Sequence, residues 1–264
     1  MKSSSQTSAP LRTNAPEPDV SRTAHSARSL LARIHARRVP HVGCVLWLVD
    51  MEAARSILQR HDLGAPWLTR SDHRRLARIR DPHERARRAA TYVALRLVVA
   101  HLLGPRFATA PMLRPRGKAP YLLGVPAVFN LSHSGSLALI GVARRGRIGV
   151  DMEVKRAVPM SDRNRARIVD AATILSRERA LVPHLDRDVL QAWTRIESFS
   201  KATGRGINRT LADFGIRAQQ NPRWHTPGTG VADKAARQLP DYVVRDVRLP
   251  AGTVAAVTRT LAKP

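Results

Sequence analysis

The sequence predicts an α+β fold, in which helices and mainly antiparallel strands are built from separate stretches of the chain. Three observations predict it. The apolar, valine-rich run from Val42 to Val49 is typical of a buried strand. Residues 82–103 carry a broad apolar stripe at helical spacing. Short apolar runs between residues 127 and 152, and again after residue 241, have the length and composition of strands.

The first half of the chain predicts a strand followed by helices. Asp50 directly follows the valine-rich run and is a good N-cap for the amphipathic stretch after it. Ser71 begins a short basic helix, which ends at Asp81-Pro82. The long helix over residues 82–103 ends at Gly104, and we expect its arginines to face solvent, as on most basic amphipathic helices.

The second half predicts more strands and one more long helix. Two of the strands are joined by a tight turn at Arg144-Arg145-Gly146, which suggests a hairpin. Gly204 caps the helix. The predicted strands are Phe129–Leu131, Ser136–Ala143, Gly146–Met152, Tyr242–Leu249 and Gly252–Thr258, the last two as an antiparallel pair, and the predicted helix is Val189–Lys201.

The amino-terminal segment and the single cysteine indicate the cellular compartment of the protein. Residues 1–28 are of low complexity, so we expect a disordered tail. They contain no apolar core of a secretory signal, and the run ending at Val49 is far shorter than the roughly 20 residues of a membrane-spanning helix. Cys44 alone cannot form an internal disulfide and fits a reducing compartment. We therefore expect a cytoplasmic protein.

The net charge limits the classes of partner that the protein could bind. The chain has 45 Lys+Arg against 20 Asp+Glu, a formal net charge of +25 over 264 residues. Such a field favours nucleic acid, anionic lipid, a phosphate-rich ligand or an acidic protein, and does not by itself choose among them. Aromatic residues are only 4% of the chain, too few for the stacking platforms that bind single-stranded nucleic acid.

Two acidic residues follow a predicted strand in a pattern that suits metal binding. Asp151 and Glu153 are two residues apart, so both carboxylates lie on one face of an extended chain. Gly149 lies on the same face and permits close approach of another group. The alternative is a polar strand end exposed to water.

A third carboxylate lies on the predicted helix after Val189. Trp193, Glu197 and Lys201 form one row at spacings of four residues, at the border of the packed face. The alternative is an ordinary surface ion pair. Together with the two strand acids, Glu197 makes a set that suits Mg²⁺, which binds a few carboxylates and completes its shell with water and substrate phosphates.

A run of small hydrogen-bonding residues, Asn130 to Gly135, follows the first strand of this half. Such runs bind phosphates or form turns. His133 within it is either a ligand contact or a capping histidine, and Gly117-Lys118 further upstream passes equally for a plain loop.

The order of these motifs resembles one known family. FNLSHS, then GVDME, then WTRIESFSKATGRGI resembles the signature of the Sfp-type 4′-phosphopantetheinyl transferases: a Ser-His loop, a GVD-x-E strand and a W-x-x-x-E-(S/A)-x-x-K-A-x-G-x-G helix. Gly117-Lys118-Ala119-Pro120 is similar to the Gly-Lys-Pro loop of the family with one inserted residue. The resemblance covers about residues 40–258 and is densest over 115–207.

The resemblance implies a fold and a reaction. The fold would be two pseudo-symmetric halves, residues 40–135 and 136–258, with the active site at their interface and a boundary near 134–136. The enzyme would be a holo-[acyl-carrier-protein] synthase type phosphopantetheinyl transferase. It would move the phosphopantetheine arm of coenzyme A onto a serine of an apo carrier protein and release 3′,5′-ADP. The pathway served, whether fatty acid, polyketide or nonribosomal peptide synthesis, is left open.

The resemblance also implies residue roles. Asp151, Glu153 and Glu197 would bind Mg²⁺, and Glu197 would also be the base for the carrier serine, with Lys201 beside it as a second cation. Arg87 is the expected 3′-phosphate contact, although its neighbours Arg85 and Arg88 compete for that role. Coenzyme A would be bound by Arg87, Lys118, Ser132, His133 and Lys201.

One residue departs from the family pattern. Many members have lysine immediately before the metal-binding glutamate, where this chain has Ile196. We expect Lys201 or an arginine such as Arg195 to supply the missing charge.

The expected partner is an acidic apo carrier protein or carrier domain. The protein itself is expected to be a monomer that does not bind membranes. Two alternatives are carried forward: a basic nucleic-acid-binding protein, and a catalytically inactive carrier-binding homologue.

Overall fold

The computed structural model describes residues 20–60, 65–115, 119–176, 178–216 and 241–261. Within them helices alternate with antiparallel strands, which confirms the predicted α+β class. The helices are α1 (Val20–Arg33), α2 (Met51–Arg60), α3 (Arg70–Leu76), α4 (Pro82–Leu103), α5 (Asp162–Leu175), α6 (Asp186–Thr203) and α7 (Ile207–Asp213). The strands are β1 (Arg37–Val39), β2 (Val45–Asp50), β3 (Met112–Leu113), β4 (Tyr121–Leu122), β5 (Val128–Ser134), β6 (Leu137–Ala143), β7 (Ile148–Val154), β8 (Tyr242–Asp246) and β9 (Thr253–Thr260).

The first sheet has the strand order β1–β2–β6–β5, with every neighbouring pair antiparallel. Alternate side chains of a strand point to opposite faces. On β2, Trp47 and Val49 join a cluster with side chains of α1 and α4, while Leu46 and Leu48 join a second cluster on the other face. Because both faces of β2 are covered, its sequence is continuously apolar.

Helix α1 corrects one expectation. Ala27 and Leu31 of α1, and Ile34 directly after it, are each at most 1% exposed and pack in the same cluster as α4. Their spacing of four and three residues places them on one face of a helix. The predicted disordered tail, residues 1–28, is therefore wrong for residues 20–28, and residues 1–19 lie outside the described part of the chain.

Helix α4 carries a buried charge that corrects a second expectation. Arg96 is fully buried, although the arginines of this helix were expected to face solvent. Its Nη2 lies 2.6 Å from Asp72 Oδ2, and its Nη1 donates to the carbonyl oxygens of Ala108 and Ala110. Asp72 belongs to a capping box with Thr69, so α3 begins earlier than predicted. Such complete pairing is what a buried guanidinium requires.

The strands after residue 146 form a second sheet, in the order β7–β9–β8. The terminal antiparallel pair β8–β9 is confirmed. The predicted hairpin at Arg144-Arg145-Gly146 is wrong, because β6 pairs with β2 and β5 whereas β7 pairs with β9. Residues 144–147 instead carry the chain from the first sheet to the second. The observed hairpin is β5–β6, so β6 belongs to the first sheet and the expected boundary near residues 134–136 falls inside that hairpin.

The two sheets pack face to face. Leu48 and Leu139 of the first sheet meet Val150, Met152 and Val257 of the second in one apolar cluster. The layers therefore run from α1 and α4 through the two sheets to α6, with α5 packed on α6. This arrangement brings β5, at the edge of the first sheet, beside β7, at the edge of the second. None of the helices in the described ranges is long and apolar enough to span a membrane.

Candidate active site

The site is built on the face of β7 that looks toward α6. Asp151 and Glu153 share this face with Gly149, as their alternation along the strand predicts. A Cβ at Gly149 would overlap the carbonyl oxygen of Ser198 and lie 2.5 Å from Ala202 N. The absent side chain at Gly149 therefore lets the backbone of α6 approach β7 closely, which confirms the role that the sequence suggested for it.

Helix α6 brings Glu197 and Lys201 to Asp151. The ammonium of Lys201 lies 2.7 Å from Asp151 Oδ1 and 3.6 Å from Glu197 Oε2. It also donates to the carbonyl oxygen of Val150 at 3.2 Å. The structure thus gathers three of the predicted site residues from two elements. Asp151 is almost fully buried, while Glu197 and Lys201 are 25% and 30% exposed.

Two α6 residues that precede Glu197 are buried away from the site. Arg195 is 1% exposed and binds both carboxylate oxygens of Asp246 at 2.7 Å. Ile196 is fully buried among the side chains of α5 and β8. The expectation that Arg195 supplies the charge missing at position 196 is therefore wrong, because its guanidinium is already paired in the core.

Three polar side chains of β5 face β7 across the edges of the two sheets. Asn130 Oδ1 accepts a hydrogen bond from Val150 N at 3.2 Å. Ser132 Oγ donates to Asp151 Oδ1 at 2.7 Å, and Ser134 Oγ donates to Glu153 Oε2 at 2.8 Å. The role of Ser134 is not apparent from its residue type. The signal that could have revealed it is the alternation of Asn130, Ser132 and Ser134, which places three polar residues on one face of a strand.

Glu153 lies apart from the other two carboxylates. Its Oε2 is bound by Ser134, and its Oε1 is 3.6 Å from Arg156 Nη2. Across the part of the chain that the structure describes, no three His, Cys, Asp or Glu side chains lie close enough together to bind one metal ion. Asp151 and Glu197 thus form a pair that shares Lys201, and Glu153 borders it.

The electrostatics of this pair favour a further cation. Burial, followed by the charge of Asp151, raises the pKa of Glu197 to about 7, against the lowering effect of Lys201. Asp151 Oδ2 is buried and has no hydrogen-bond partner among the described residues. An unpartnered buried carboxylate oxygen is costly unless a ligand binds it. Oxygen donors of this kind suit Mg²⁺, which commonly binds one or two carboxylates with water and substrate phosphates.

The predicted coenzyme A contacts come from α4, β5 and α6, and one of them lies outside the described residues. His133 is only partly covered, and this partial burial of its ring, followed by the charges of Arg88 and Arg87, lowers its pKa. Arg87 Nη2 donates to the carbonyl oxygen of Gly135, in the turn after β5. Ser132 is bound to Asp151, as described above. Lys118 lies outside the described residues.

Two cavities meet at Glu197. One has a volume of about 510 Å³, and its lining includes three cations, Arg114, Lys201 and Arg205, among mostly uncharged residues. The other, of about 460 Å³, lies between α6 and the loop before α5 and is walled by apolar residues such as Met160 and Trp193. Arg114 and Arg205 were not predicted as site residues.

Comparison with known proteins agrees with the motifs. No protein-family model matches the chain. A protein of Synechocystis sp. whose name gives 4′-phosphopantetheinyl transferase as a provisional assignment is 28% identical over 144 residues, 51% of this chain and 56% of that protein. The 4′-phosphopantetheinyl transferase HetI of Nostoc sp. is 33% identical over 173 residues, 61% of this chain and 69% of HetI. The chain thus spans between about half and two thirds of these relatives, and it belongs to the 4′-phosphopantetheinyl transferase family.

Proposed function

We propose that the protein moves the phosphopantetheine arm of coenzyme A onto a serine of an apo carrier protein, with release of 3′,5′-ADP. The observation that carries the proposal is the junction of Asp151, Glu197 and Lys201, where two carboxylates and a cation from β7 and α6 meet at the wall of a cationic cavity. Membership of the family supports the same reaction. The finer type, a holo-[acyl-carrier-protein] synthase activity, is part of the proposal.

Asp151 and Glu197, which share Lys201, are the proposed centre of the Mg²⁺ site. Glu153 is the proposed third ligand from the border of that site, since the three carboxylates do not form one cluster in this structure. The fit rests on Asp151 Oδ2, which is buried without a partner among the described residues, and on the raised pKa of Glu197, which reflects burial and then the charge of Asp151. When bound, Mg²⁺ supplies charge neutralisation at the pyrophosphate of coenzyme A. Lys201 neutralises charge at the same place, because its ammonium lies between the two nearest carboxylates.

The residues of the chain position the reactants and take one proton. The carrier serine Oγ forms a bond to the β-phosphorus of coenzyme A, and the bond from that phosphorus to the bridging oxygen of the pyrophosphate breaks. The electron pair leaves with 3′,5′-ADP. Glu197 accepts the serine proton, directly or through water, because it lines both cavities and so lies where coenzyme A and the carrier would meet.

Coenzyme A is proposed to bind on the cationic side of Glu197. His133 and Arg87 at the end of β5 contact its phosphates, as does Lys201. Ser132 is a further proposed coenzyme A contact through its hydroxyl oxygen, which already accepts a hydrogen bond from Lys201 Nζ at 3.3 Å. Lys118, outside the described residues, is the last proposed contact. The charged walls of the cavity of about 510 Å³ suit a ligand with several phosphates.

The proposed partner is an acidic acyl, peptidyl or polyketide carrier, attracted by the net charge of +25. We further propose a cytoplasmic monomer made of two pseudo-symmetric halves, residues 40–135 and 136–258, with the site between them. The contacts of β5 with β7 support a site between halves, because Ser132 and Ser134 come from one side and Asp151 and Glu153 from the other.

The test is transfer of a fluorescent coenzyme A arm to purified apo carrier proteins, with and without Mg²⁺. Glu197→Gln keeps the size of the side chain and removes its charge, and Glu178→Gln is the matched control because Glu178 pairs with Arg245 away from the site. We expect Mg²⁺-dependent labelling that Glu197→Gln abolishes and Glu178→Gln preserves. Absence of labelling by the folded protein with all carriers would favour an inactive carrier-binding homologue, and salt-dependent DNA binding without Mg²⁺ would favour a nucleic-acid-binding protein.

A further inference from the structure

The hydroxyl groups of Ser132 and Ser134 have defined hydrogen-bond directions. A serine hydroxyl has one proton to donate. Ser134 Oγ accepts from Val154 N at 3.1 Å, so its own proton goes to Glu153 Oε2. Ser132 Oγ likewise accepts from Lys201 Nζ and donates to Asp151 Oδ1. Each serine hydroxyl is thus oriented by a neighbouring donor and donates its own proton to one carboxylate.

Asp151 and Glu153 each have one carboxylate oxygen that does not take part in the serine hydrogen bonds. Asp151 Oδ2 is buried and has no partner among the described residues. Within the described ranges, Glu153 Oε1 has only the loose approach of Arg156 Nη2 at 3.6 Å, from a side chain that is 55% exposed. The serines bind the other oxygens, Oδ1 and Oε2. Both carboxylates are therefore held in one orientation while one oxygen of each stays available.

We infer that Ser134 is a positioning residue, which acts through Glu153 to hold it for a divalent cation, and that Ser132 does the same for Asp151. This rests on the proposed function, since it takes Asp151 and Glu153 as metal ligands. Hydrogen bonds to ligating carboxylates fix their orientation before the metal arrives, and loss of such a bond weakens metal binding. Neither serine needs to touch the metal.

Ser134 offers the cleaner test, because Ser132 also contacts Lys201. The probe is Mn²⁺ alone, titrated into the full chain and followed by the electron paramagnetic resonance signal of the free ion. We expect Ser134→Ala to weaken Mn²⁺ binding about 10-fold. The control is Ser136→Ala, since Ser136 is exposed in the turn two residues further along. Ser134→Thr restores the hydroxyl and should restore binding, whereas Ser134→Val has the same shape without the hydroxyl and should not.

A double-mutant cycle separates positioning from general loosening of the strand. If Ser134 acts through Glu153, then Ser134→Ala should have no further effect on Mn²⁺ binding in a Glu153→Gln background. Equal Mn²⁺ affinity in the Thr and Val variants, or full additivity in the cycle, would overturn the assignment. Absence of Mn²⁺ binding by the wild type would overturn it as well. Mn²⁺ binding without any transfer to carriers would instead refute the proposed function and leave the role of Ser134 intact.

Discussion

The ammonium of Lys201 lies 2.7 Å from Asp151 Oδ1 and joins helix α6 to the edge of the second sheet. The same ammonium is 3.6 Å from Glu197, so one cation contacts two acids from different elements and offsets part of their charge. The pair therefore fixes both the approach of α6 to β7 and the charge of the proposed active site.

Replacing Lys201 by Met should lower the transfer rate by about 10²-fold, the usual effect of removing one charged stabiliser from an active site. The variant keeps the length of the stem and loses the charge. Lys155→Met, on an exposed lysine just after β7, is the control and should transfer at the wild-type rate. Single-turnover labelling measures both variants. A rate within a factor of three of the wild type for Lys201→Met would contradict a role in neutralising phosphate charge.

Replacing Gly149 by Ala should push α6 off β7, because the new Cβ would overlap Ser198 O and lie 2.5 Å from Ala202 N. We expect a loss of about 3 kcal/mol in the free energy of unfolding, as for severe overpacking, together with loss of transfer. Gly124→Ala is the control: its φ of 73° is also unfavourable for Ala, but its Cβ would meet no atom within 4 Å. Urea unfolding should show a clearly smaller loss for the control, and equal losses would refute the clash.

A lysine at position 196 should not raise activity. Ile196 is fully buried in the core of α5, α6 and β8, so Ile196→Lys puts a charge where it has no partner. We expect a loss of about 3 kcal/mol or more in unfolding free energy and no gain in turnover. Ile196→Leu conserves volume and should cost less than about 1.5 kcal/mol. A stable, faster Ile196→Lys enzyme would show that this position reaches the active site.

The buried pair of Asp72 and Arg96 predicts a pH-dependent stability. Burial raises the pKa of Asp72, but hydrogen bonds from Thr69 and the charge of Arg96 outweigh this and hold it below its ordinary value. Its contribution is therefore complete above the unfolded-state pKa of about 4 and is lost as the pH falls through the lower folded-state pKa. Asp72→Asn should lower the free energy of unfolding by about 3 kcal/mol at pH 7.

The same substitution should flatten the decline of stability below about pH 4, because the titrating group is gone. Urea unfolding at a series of pH values measures this. Asp162→Asn, an exposed carboxylate in the first turn of α5, should leave the profile parallel to that of the wild type. A parallel profile for Asp72→Asn would show that the pair does not titrate with unfolding.

The positive charge of the chain should make carrier recognition sensitive to salt. With a net charge of +25, encounter with an acidic carrier is favoured at low ionic strength and screened at high ionic strength. The KM for the carrier should rise with added NaCl, while kcat changes little. An unchanged KM would show that electrostatic attraction does not contribute to carrier recognition.

Several parts of the fold followed from sequence patterns because they depend on neighbours along the chain. The apolar run of β2, the apolar stripe of α4 and the terminal pair β8–β9 are of this kind. The hairpin at Arg144-Arg145-Gly146 was predicted wrongly because a turn signal shows that the chain bends, and not which strands then pair. Arg96 was placed in solvent because its partner Asp72 lies 24 residues away, beyond any helical periodicity.

The sequence by itself determined the family, through the order of the FNLSHS, GVDME and WTRIESFSK segments, since motif order is a property of the chain. The same segments predicted the candidate reactive groups. Only the tertiary structure decided how these groups meet. It placed Lys201 between Asp151 and Glu197, tied Glu153 to Ser134, and buried Ile196 and Arg195 in the core. Such contacts join elements distant in sequence and depend on packing, above all on the close approach that Gly149 permits.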